Sequence, residues 1–245
     1  MNKISNFTTI DTVYGKWIVS RNAQYHAESF IKTGHPVCEE QSDLMIQVCK
    51  TLPENFLFVD VGSNQGVVSI PLAYTFKNAK FLAFEVQKKL FHALCGTIVL
   101  NEYDNLEVFN CGLGNSAKTL TIEQVNYNDS WDYGILSLVD QEKIKSKPHD
   151  TVEIHPLDYF ELDRLDFIKI DVEGMELEVL EGGRNTIEKY RPWAYIEFWN
   201  VDTGLLKSWF DSKDYTIYQF DGGNILCCPN EKLAQSNLTF NLKKW

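Results

Sequence analysis

The stretch FLFVDVGSNQGVVSI, from Phe56 to Ile70, decides the fold of this chain. Its first half, residues 56–61, is a short apolar run of aromatic and β-branched residues, which is typical of a strand buried on both faces of a parallel sheet. Gly62 and Gly66 then bracket three polar residues, and apolar residues resume after them at helical spacing. The stretch therefore predicts a strand, a glycine turn and a helix.

A glycine turn of this kind suits a ligand, because glycines allow close approach to the backbone and the next helix begins with unpaired N–H groups. The spacing here is GxxxG, whereas dinucleotide folds use GxGxxG and phosphate loops use GxxxxGK followed by serine or threonine. Asp60 stands directly before the first glycine, where a carboxylate would repel a pyrophosphate but attract a cationic amino group, directly or through water. The turn therefore favours S-adenosylmethionine over a phosphate ligand.

A second acidic residue supports this prediction. Lys80 to Phe84 forms another apolar strand, and Glu85 follows at its end, 25 positions after Asp60. In a doubly wound sheet, an acidic residue about 20 positions downstream accepts hydrogen bonds from the ribose hydroxyls. The alternative is that Glu85 is a solvated charge at the end of a strand.

Five blocks of sequence together resemble the FkbM family of S-adenosylmethionine-dependent methyltransferases. They are VDVGSNQG (59–66), AFEVQ (83–87), VFNCGLG (108–114), DFIKIDVEGMELEVLEGG (166–183) and RPWAYIE (191–197). The resemblance implies a class I methyltransferase fold and, usually, O-methylation of a hydroxyl on a small molecule or sugar. It does not name the acceptor.

The rest of the chain predicts one α/β domain behind an N-terminal arm. Residues 1–38 form the arm, either a substrate cap or a surface-packing segment, and residues 39–245 form the methyltransferase domain. Residues 118–157 are predicted as an inserted hairpin or lid, because alternating segments flank a long polar and aromatic loop. The fold class is α/β: a Rossmann-like class I methyltransferase with a mostly parallel seven-stranded sheet, helices on both faces and an antiparallel C-terminal hairpin.

The predicted cofactor site combines the ends of neighbouring strands. Cys111 and Gly112 follow the third strand, where their backbone would line the adenine. Cys111 is interpreted as a packing residue, because no basic partner lies near it in the sequence. The predicted cofactor contacts are Asp60, Gly62, Ser63, Asn64, Gly66, Glu85, Val86, Cys111, Gly112 and Asp171.

Asp171 and Glu173 are the predicted catalytic residues. Asp171 closes the predicted fourth strand at the sheet edge where α/β folds bind ligands. Its carboxylate would either orient the amino group of the donor or accept the proton of the acceptor hydroxyl, and both roles stay open. For Glu173 the alternative is a helix cap that complements the helix dipole. Lys169 points to the same side of the strand as Asp171 and is expected to pair with it.

Glu197 sits near the carboxyl end of the fifth predicted strand, Trp193 to Phe198. It would join Asp171 and Glu173 in an acidic cluster. Oxygen ligands of this kind suit a divalent cation, but no spacing requires one, so the prediction is a site without metal.

The predicted acceptor contacts come from the arm, the insertion and the fifth strand. They are His35, Trp131, Tyr133 and Glu197. Trp131 and Tyr133 offer stacking surface for a sugar or a ring, and the alternative is a protein–protein contact patch. For His35 the alternative is an ordinary polar residue on a packing arm.

Composition argues against several classes of partner. The formal net charge of −11 disfavours nucleic-acid and anionic-membrane surfaces, which need a basic stripe. No apolar run approaches transmembrane length, and no signal peptide is recognised. The six cysteines contain no CxxC pair, so they are expected to be free thiols in a reducing cytoplasm.

Two other functions stay open at this point. An NAD-dependent oxidoreductase would share the sheet and Glu85, but it would use a different glycine spacing. A catalytically inactive binding or scaffold protein would keep the fold, because sites can decay while sheets persist. The C-terminal apolar residues Phe240, Leu242 and Trp245 either pack back on the domain or contribute to a homodimer.

Overall fold

The computed structural model describes residues 5–23, 28–29, 32–36, 39–129 and 148–245. The strands in chain order are β1 (Phe7–Thr12), β2 (Gly15–Ser20), β3 (Leu57–Val61), β4 (Lys80–Phe84), β5 (Leu106–Phe109), β6 (Gly112–Leu113), β7 (Lys118–Glu123), β8 (His149–His155), β9 (Phe167–Ile170), β10 (Trp193–Glu197), β11 (Tyr215–Gln219), β12 (Asn224–Pro229) and β13 (Lys243–Lys244). The helices are α1 (Glu39–Cys49), α2 (Ser69–Thr75), α3 (Lys88–Asn101), α4 (Glu176–Gly182), α5 (Arg184–Tyr190), α6 (Thr203–Asp211) and α7 (Asn230–Ser236), and a 3-10 helix covers Leu157–Phe160.

The central sheet has eight strands in the order β13-β11-β12-β10-β9-β3-β4-β5. The five strands from β10 to β5 pair in parallel, whereas β12 pairs antiparallel with both β10 and β11. This arrangement confirms the predicted fold class. The sheet is one strand wider than predicted, because Lys243 and Lys244 pair with the outer side of β11.

Two apolar cores cover the two faces of this sheet, as period-two alternation requires. Phe58 and Phe167 stack 4.9 Å apart on the face that packs against α1, α2 and α3. Val59 and Val61 point to the opposite face, which packs against α4, α5 and α6. Every residue of β3 is buried, so the strand lies at the centre of the fold.

The N-terminal segment forms a β1–β2 hairpin that packs on α3. The backbone N–H of Ile18 donates to Thr97 Oγ1 at 3.0 Å, and the N–H of Lys16 donates to Asn101 Oδ1 at 2.8 Å. The inserted region pairs β7 antiparallel with β8, and β6 adds in parallel on the other side of β8. The hairpin and the insertion therefore both border the strand ends where the cofactor site was predicted.

The C-terminal apolar residues pack back on the domain. Phe240 meets the ring of Trp193, and Trp245 meets Phe198. Five of the six cysteines lie in the described part of the chain, and all five are free thiols, as predicted. Among the described residues, no helix has both the length and the apolar character needed to cross a membrane.

Candidate functional site

The glycine turn closes tightly over the carboxyl end of β3. The N–H groups of Gly62 and Ser63 both donate to the carbonyl of Phe84 at 3.0 Å, which ties the turn to the end of β4. Gly62 and Gly66 have φ angles of +80° and +82°, where side chains are disfavoured. A Cβ atom on Gly62 would also overlap the carbonyl oxygen of Asp171. The turn therefore packs directly on the end of β9.

Three polar atoms of the turn are buried without a hydrogen-bond partner among the described residues. They are Ser63 Oγ, Asn64 Oδ1 and Gln65 Nε2. Buried polar groups in native proteins are nearly always paired, so these three atoms are available to ordered water or to a polar ligand. The other polar atoms of Gln65 hold the β1–β2 hairpin: its carbonyl accepts from Trp17 Nε1 at 2.8 Å, and its Oε1 accepts from the N–H of Ser20 at 2.7 Å.

Glu85 is only 4% exposed, and each of its carboxylate oxygens accepts one backbone hydrogen bond. Oε2 accepts from the N–H of Asn64, and Oε1 accepts from the N–H of Gln87, both at 2.7 Å. Burial raises the pKa of Glu85 to about 7, although these two hydrogen bonds act in the opposite direction. A carboxylate held in this way keeps a lone pair on each oxygen for a diol.

The residues predicted to line the adenine come together beside Glu85. The side-chain amide of Asn110 donates to the carbonyls of Glu85 and Val86, at 2.8 and 3.3 Å. A Cβ atom on Gly112 would lie 3.0 Å from Val86 Cγ1, so these two positions are neighbours. Cys111 is buried, and burial raises the pKa of its thiol to about 11, which agrees with a packing role.

Asp60, Lys169 and Asp171 form a buried charged group where β3 and β9 end. Asp60 is 1% exposed, and the hydroxyl of Ser69 donates to its Oδ2. Lys169 Nζ lies 3.3 Å from Asp60 Oδ1 and 3.0 Å from Asp171 Oδ2, so the predicted pair between Lys169 and Asp171 is confirmed. Asp60 Oδ1 has this ion pair but no hydrogen-bond partner among the described residues. A contact between the Asp60 carboxylate and an amino group of the cofactor stays a prediction.

Asp171, Glu173 and Glu197 converge as the positions of their strands predicted. One oxygen from each lies within 4.8 Å of the others, and Glu173 also accepts from Asn200 Nδ2 at 2.9 Å. Burial, followed by the charge of Asp171, raises the pKa of Glu197 to about 9. The absence of metal from this site stays a prediction, since acidic groups of this kind are common without an ion.

Glu176, the first residue of α4, binds the backbone of the loop that precedes the helix. It is 2% exposed, and its Oε1 accepts from the N–H groups of Val172 and Gly174, at 3.3 and 3.1 Å. Gly174 has a φ angle of +105°. These bonds hold the backbone around Glu173 in the turn that precedes α4.

Two side chains near the site were not singled out by sequence. Trp199 is 65% exposed beyond β10, and its ring lies so close to Gly223 that a Cβ atom there would overlap it. Tyr127 is buried, and its hydroxyl donates to Gln87 Oε1 at 2.8 Å. Tyr127 therefore anchors the insertion beside Glu85. Neither contact has a sequence signal, because both join segments far apart in the chain.

The predicted acceptor residues are less well placed by the structure. His35 Nδ1 lies 3.0 Å from Glu39, and its ring meets Tyr14, which packs on Tyr74 in the last turn of α2. That turn is the end of α2 farther from the glycine turn. Trp131 and Tyr133 lie outside the described residues, so their acceptor roles, like that of His35, stay predictions.

Comparisons with known proteins agree with this geometry. The family model described as the methyltransferase FkbM domain matches residues 60–217. Methyltransferase sdnD of Sordaria araneosa is 31% identical over 163 residues, which are 54% of this chain and 61% of that protein. Methyltransferase 1 of Beauveria bassiana is 26% identical over 147 residues, covering 53% of this chain and 59% of that protein.

A solved structure shares the fold. The crystal structure of methyltransferase FkbM from Methylobacillus flagellatus superposes with a TM-score of 0.52 and 21% identity, covering 71% of this chain and 43% of that one. The two curated relatives are matched over only about three fifths of their own length. Because the family model spans more than half of the sequence, the chain belongs to the methyltransferase FkbM domain family.

Proposed function

We propose that this chain is an S-adenosylmethionine-dependent methyltransferase that methylates a hydroxyl group on a small molecule or a sugar. The observation that carries the proposal is the glycine turn, whose unpaired buried atoms on Ser63, Asn64 and Gln65 lie next to the backbone-held carboxylate of Glu85. A ligand with a diol and several polar groups fits the glycine turn and the Glu85 carboxylate better than a phosphate ligand does.

The residues present fit this cofactor. Glu85 would accept the ribose hydroxyls, Val86 and Gly112 would flank the adenine, and the glycine turn with Asp171 would hold the amino-acid end. When bound, the cofactor supplies a methyl group on an activated sulfonium, so the protein need only align the acceptor.

The acidic cluster would handle the proton of the acceptor hydroxyl. Burial raises the pKa of Glu197, which also forms a side-chain hydrogen bond with Asp171. Asp171 is then the carboxylate placed to accept a proton from a hydroxyl at this edge. Glu173 is held by Asn200 and would orient the acceptor. Trp199 offers an exposed ring at the same edge, on which a sugar or ring would stack.

Isothermal titration with S-adenosylhomocysteine tests the cofactor site. We expect binding by the wild type and loss of binding in Glu85→Ala. Glu107→Ala is the matched control, because Glu107 is exposed on the neighbouring strand β5. Absence of binding by the folded wild type would contradict the proposal.

Transfer is tested next with a labelled methyl donor and a panel of hydroxyl compounds. Incorporation of label that disappears in Asp171→Asn is the expected result. Binding of the donor with no transfer to any hydroxyl compound would count against O-methylation.

A further inference from the structure

Lys169 stands where the glycine turn and the acidic cluster meet. The residue is 4% exposed, and its Nζ donates to the carbonyl of Gly62 at 2.9 Å. The same atom lies 3.0 Å from Asp171 Oδ2 and 3.3 Å from Asp60 Oδ1. The ammonium group therefore donates to Gly62 and Asp171, whereas its contact with Asp60 Oδ1 is an ion pair without a hydrogen bond.

The three oxygens belong to two different strand ends. Asp60 and Gly62 come from the end of β3, whereas Asp171 follows β9, and the two strands pair in parallel. Asp60 lies opposite Lys169 in that pairing. The ammonium therefore joins the residue before the glycine turn, the first glycine of the turn and the predicted catalytic carboxylate through one atom.

Stability alone is a weak explanation for this arrangement. Burial on its own would lower the pKa of Lys169, but the charges of Asp171 and Asp60 outweigh burial and raise it, so the ammonium stays charged. A buried ion pair often stabilises a protein no more than apolar residues of the same volume do. A charged group kept at this position is better explained by what it holds in place.

We propose that Lys169 is a positioning residue for the cofactor: it fixes the Gly62 carbonyl, Asp60 and Asp171 relative to one another. It thereby aligns the glycine turn with the Asp171 carboxylate, and the two together hold the amino-acid end of the donor. This inference rests on the proposed function. It predicts that Lys169 governs affinity for the amino-acid end and has little effect on the adenosine end. Glu85 takes its hydrogen bonds from the N–H groups of Asn64 and Gln87, and the charge of Lys169 acts on it only at longer range.

The test compares two ligands that share the adenosine end. S-adenosylhomocysteine carries the amino-acid end, and 5′-methylthioadenosine lacks it. Lys169→Met alone would leave two acidic side chains buried without their cation and would destabilise the fold. We therefore combine Lys169→Met with Asp60→Asn, which removes one of the two charges, and use Asp60→Asn alone as the reference.

Two further variants complete the set. Lys169→Gln, also made together with Asp60→Asn, retains an amide that can donate to the Gly62 carbonyl but carries no charge. Lys232→Met is the control for loss of a lysine, because Lys232 is partly buried and donates to the carbonyl of Tyr190 at 2.9 Å. Titration calorimetry measures both affinities, and circular dichroism checks that each variant is folded.

We expect the double variant to bind S-adenosylhomocysteine about tenfold or more weakly than Asp60→Asn, as removal of one partner from a buried charged group usually does. Its affinity for 5′-methylthioadenosine should stay within about twofold of the reference. The affinity of the Lys169→Gln variant for S-adenosylhomocysteine should lie between that of the double variant and that of Asp60→Asn. Equal losses for both ligands, or no loss for either, would overturn the positioning role while leaving the cofactor site intact. Failure of the wild type to bind either ligand would instead overturn the proposed function, and this inference with it.

Discussion

A Cβ atom added to Gly62 would overlap the backbone carbonyl oxygen of Asp171. The first glycine of the turn and a member of the acidic cluster are therefore in direct backbone contact, although more than a hundred positions separate them in the sequence. This contact is the reason that the turn and the cluster form one site.

Gly62→Ala is expected to disrupt that site. The variant combines a φ of +80° with a collision against backbone, so we expect a loss of about 3 kcal/mol or more in the free energy of unfolding. Gly34→Ala is the matched control, because Gly34 has a φ of +73° but open space around it, and should cost about 1 kcal/mol. Urea unfolding of both variants checks the prediction, and equal losses would contradict it.

The buried carboxyl of Glu85 predicts a particular pH dependence of stability. Its pKa is raised from 4.5 to about 7, so the folded state binds the proton more tightly than the unfolded state does. The free energy of unfolding should therefore fall as pH rises from about 4.5 through about 7. Urea unfolding across that range should give a flatter profile in Glu85→Gln, whereas exposed Glu107→Gln should follow the wild type. A wild-type slope retained in Glu85→Gln would show that other groups cause it.

Glu197 extends the same argument to higher pH. Its pKa is raised from 4.5 to about 9, so the free energy of unfolding should fall as pH rises from about 4.5 through about 9. Glutamine resembles the protonated carboxyl and does not ionise, so the melting temperature of Glu197→Gln should exceed that of the wild type by a margin that grows between about pH 5 and about pH 9. Thermal unfolding at both pH values is the measurement, with exposed Glu54→Gln as the control. A variant that melts lower than the wild type at the higher pH would refute this account.

Much of the fold could be predicted because buried positions give the sequence a regular spacing of apolar residues. The apolar run before Gly62 and the run from Lys80 to Phe84 are β3 and β4 almost residue for residue. Strand β13 could not be predicted, because Lys243 and Lys244 are exposed and carry no pattern. The two-residue strand depends on its neighbour β11 and not on its own sequence.

The acidic cluster was also predictable, since parallel strands end at one edge and Asp171, Glu173 and Glu197 all lie close to such an end. The third contact of Lys169 was not, because the carbonyl of Gly62 reaches it only through the register between β3 and β9. Spacing along the chain does not report which backbone oxygen a lysine will meet across a sheet.

Tyr127 is the contact on which sequence was silent and which is simplest to test. Its hydroxyl donates to Gln87 Oε1 at 2.8 Å, and the N–H of Gln87 in turn donates to Glu85. Tyr127→Phe should lower the free energy of unfolding by about 1 kcal/mol, the usual contribution of one hydrogen bond. It should also weaken S-adenosylhomocysteine binding a few-fold, because the segment that holds Glu85 loosens.

Thermal unfolding and titration calorimetry measure the two effects of Tyr127→Phe separately. Tyr159→Phe is the control, because Tyr159 is 65% exposed and should change neither quantity. Loss of stability with unchanged affinity would mean that Tyr127 anchors the insertion without supporting Glu85. Loss of both stability and affinity would show that this one hydroxyl connects the insertion to the cofactor site.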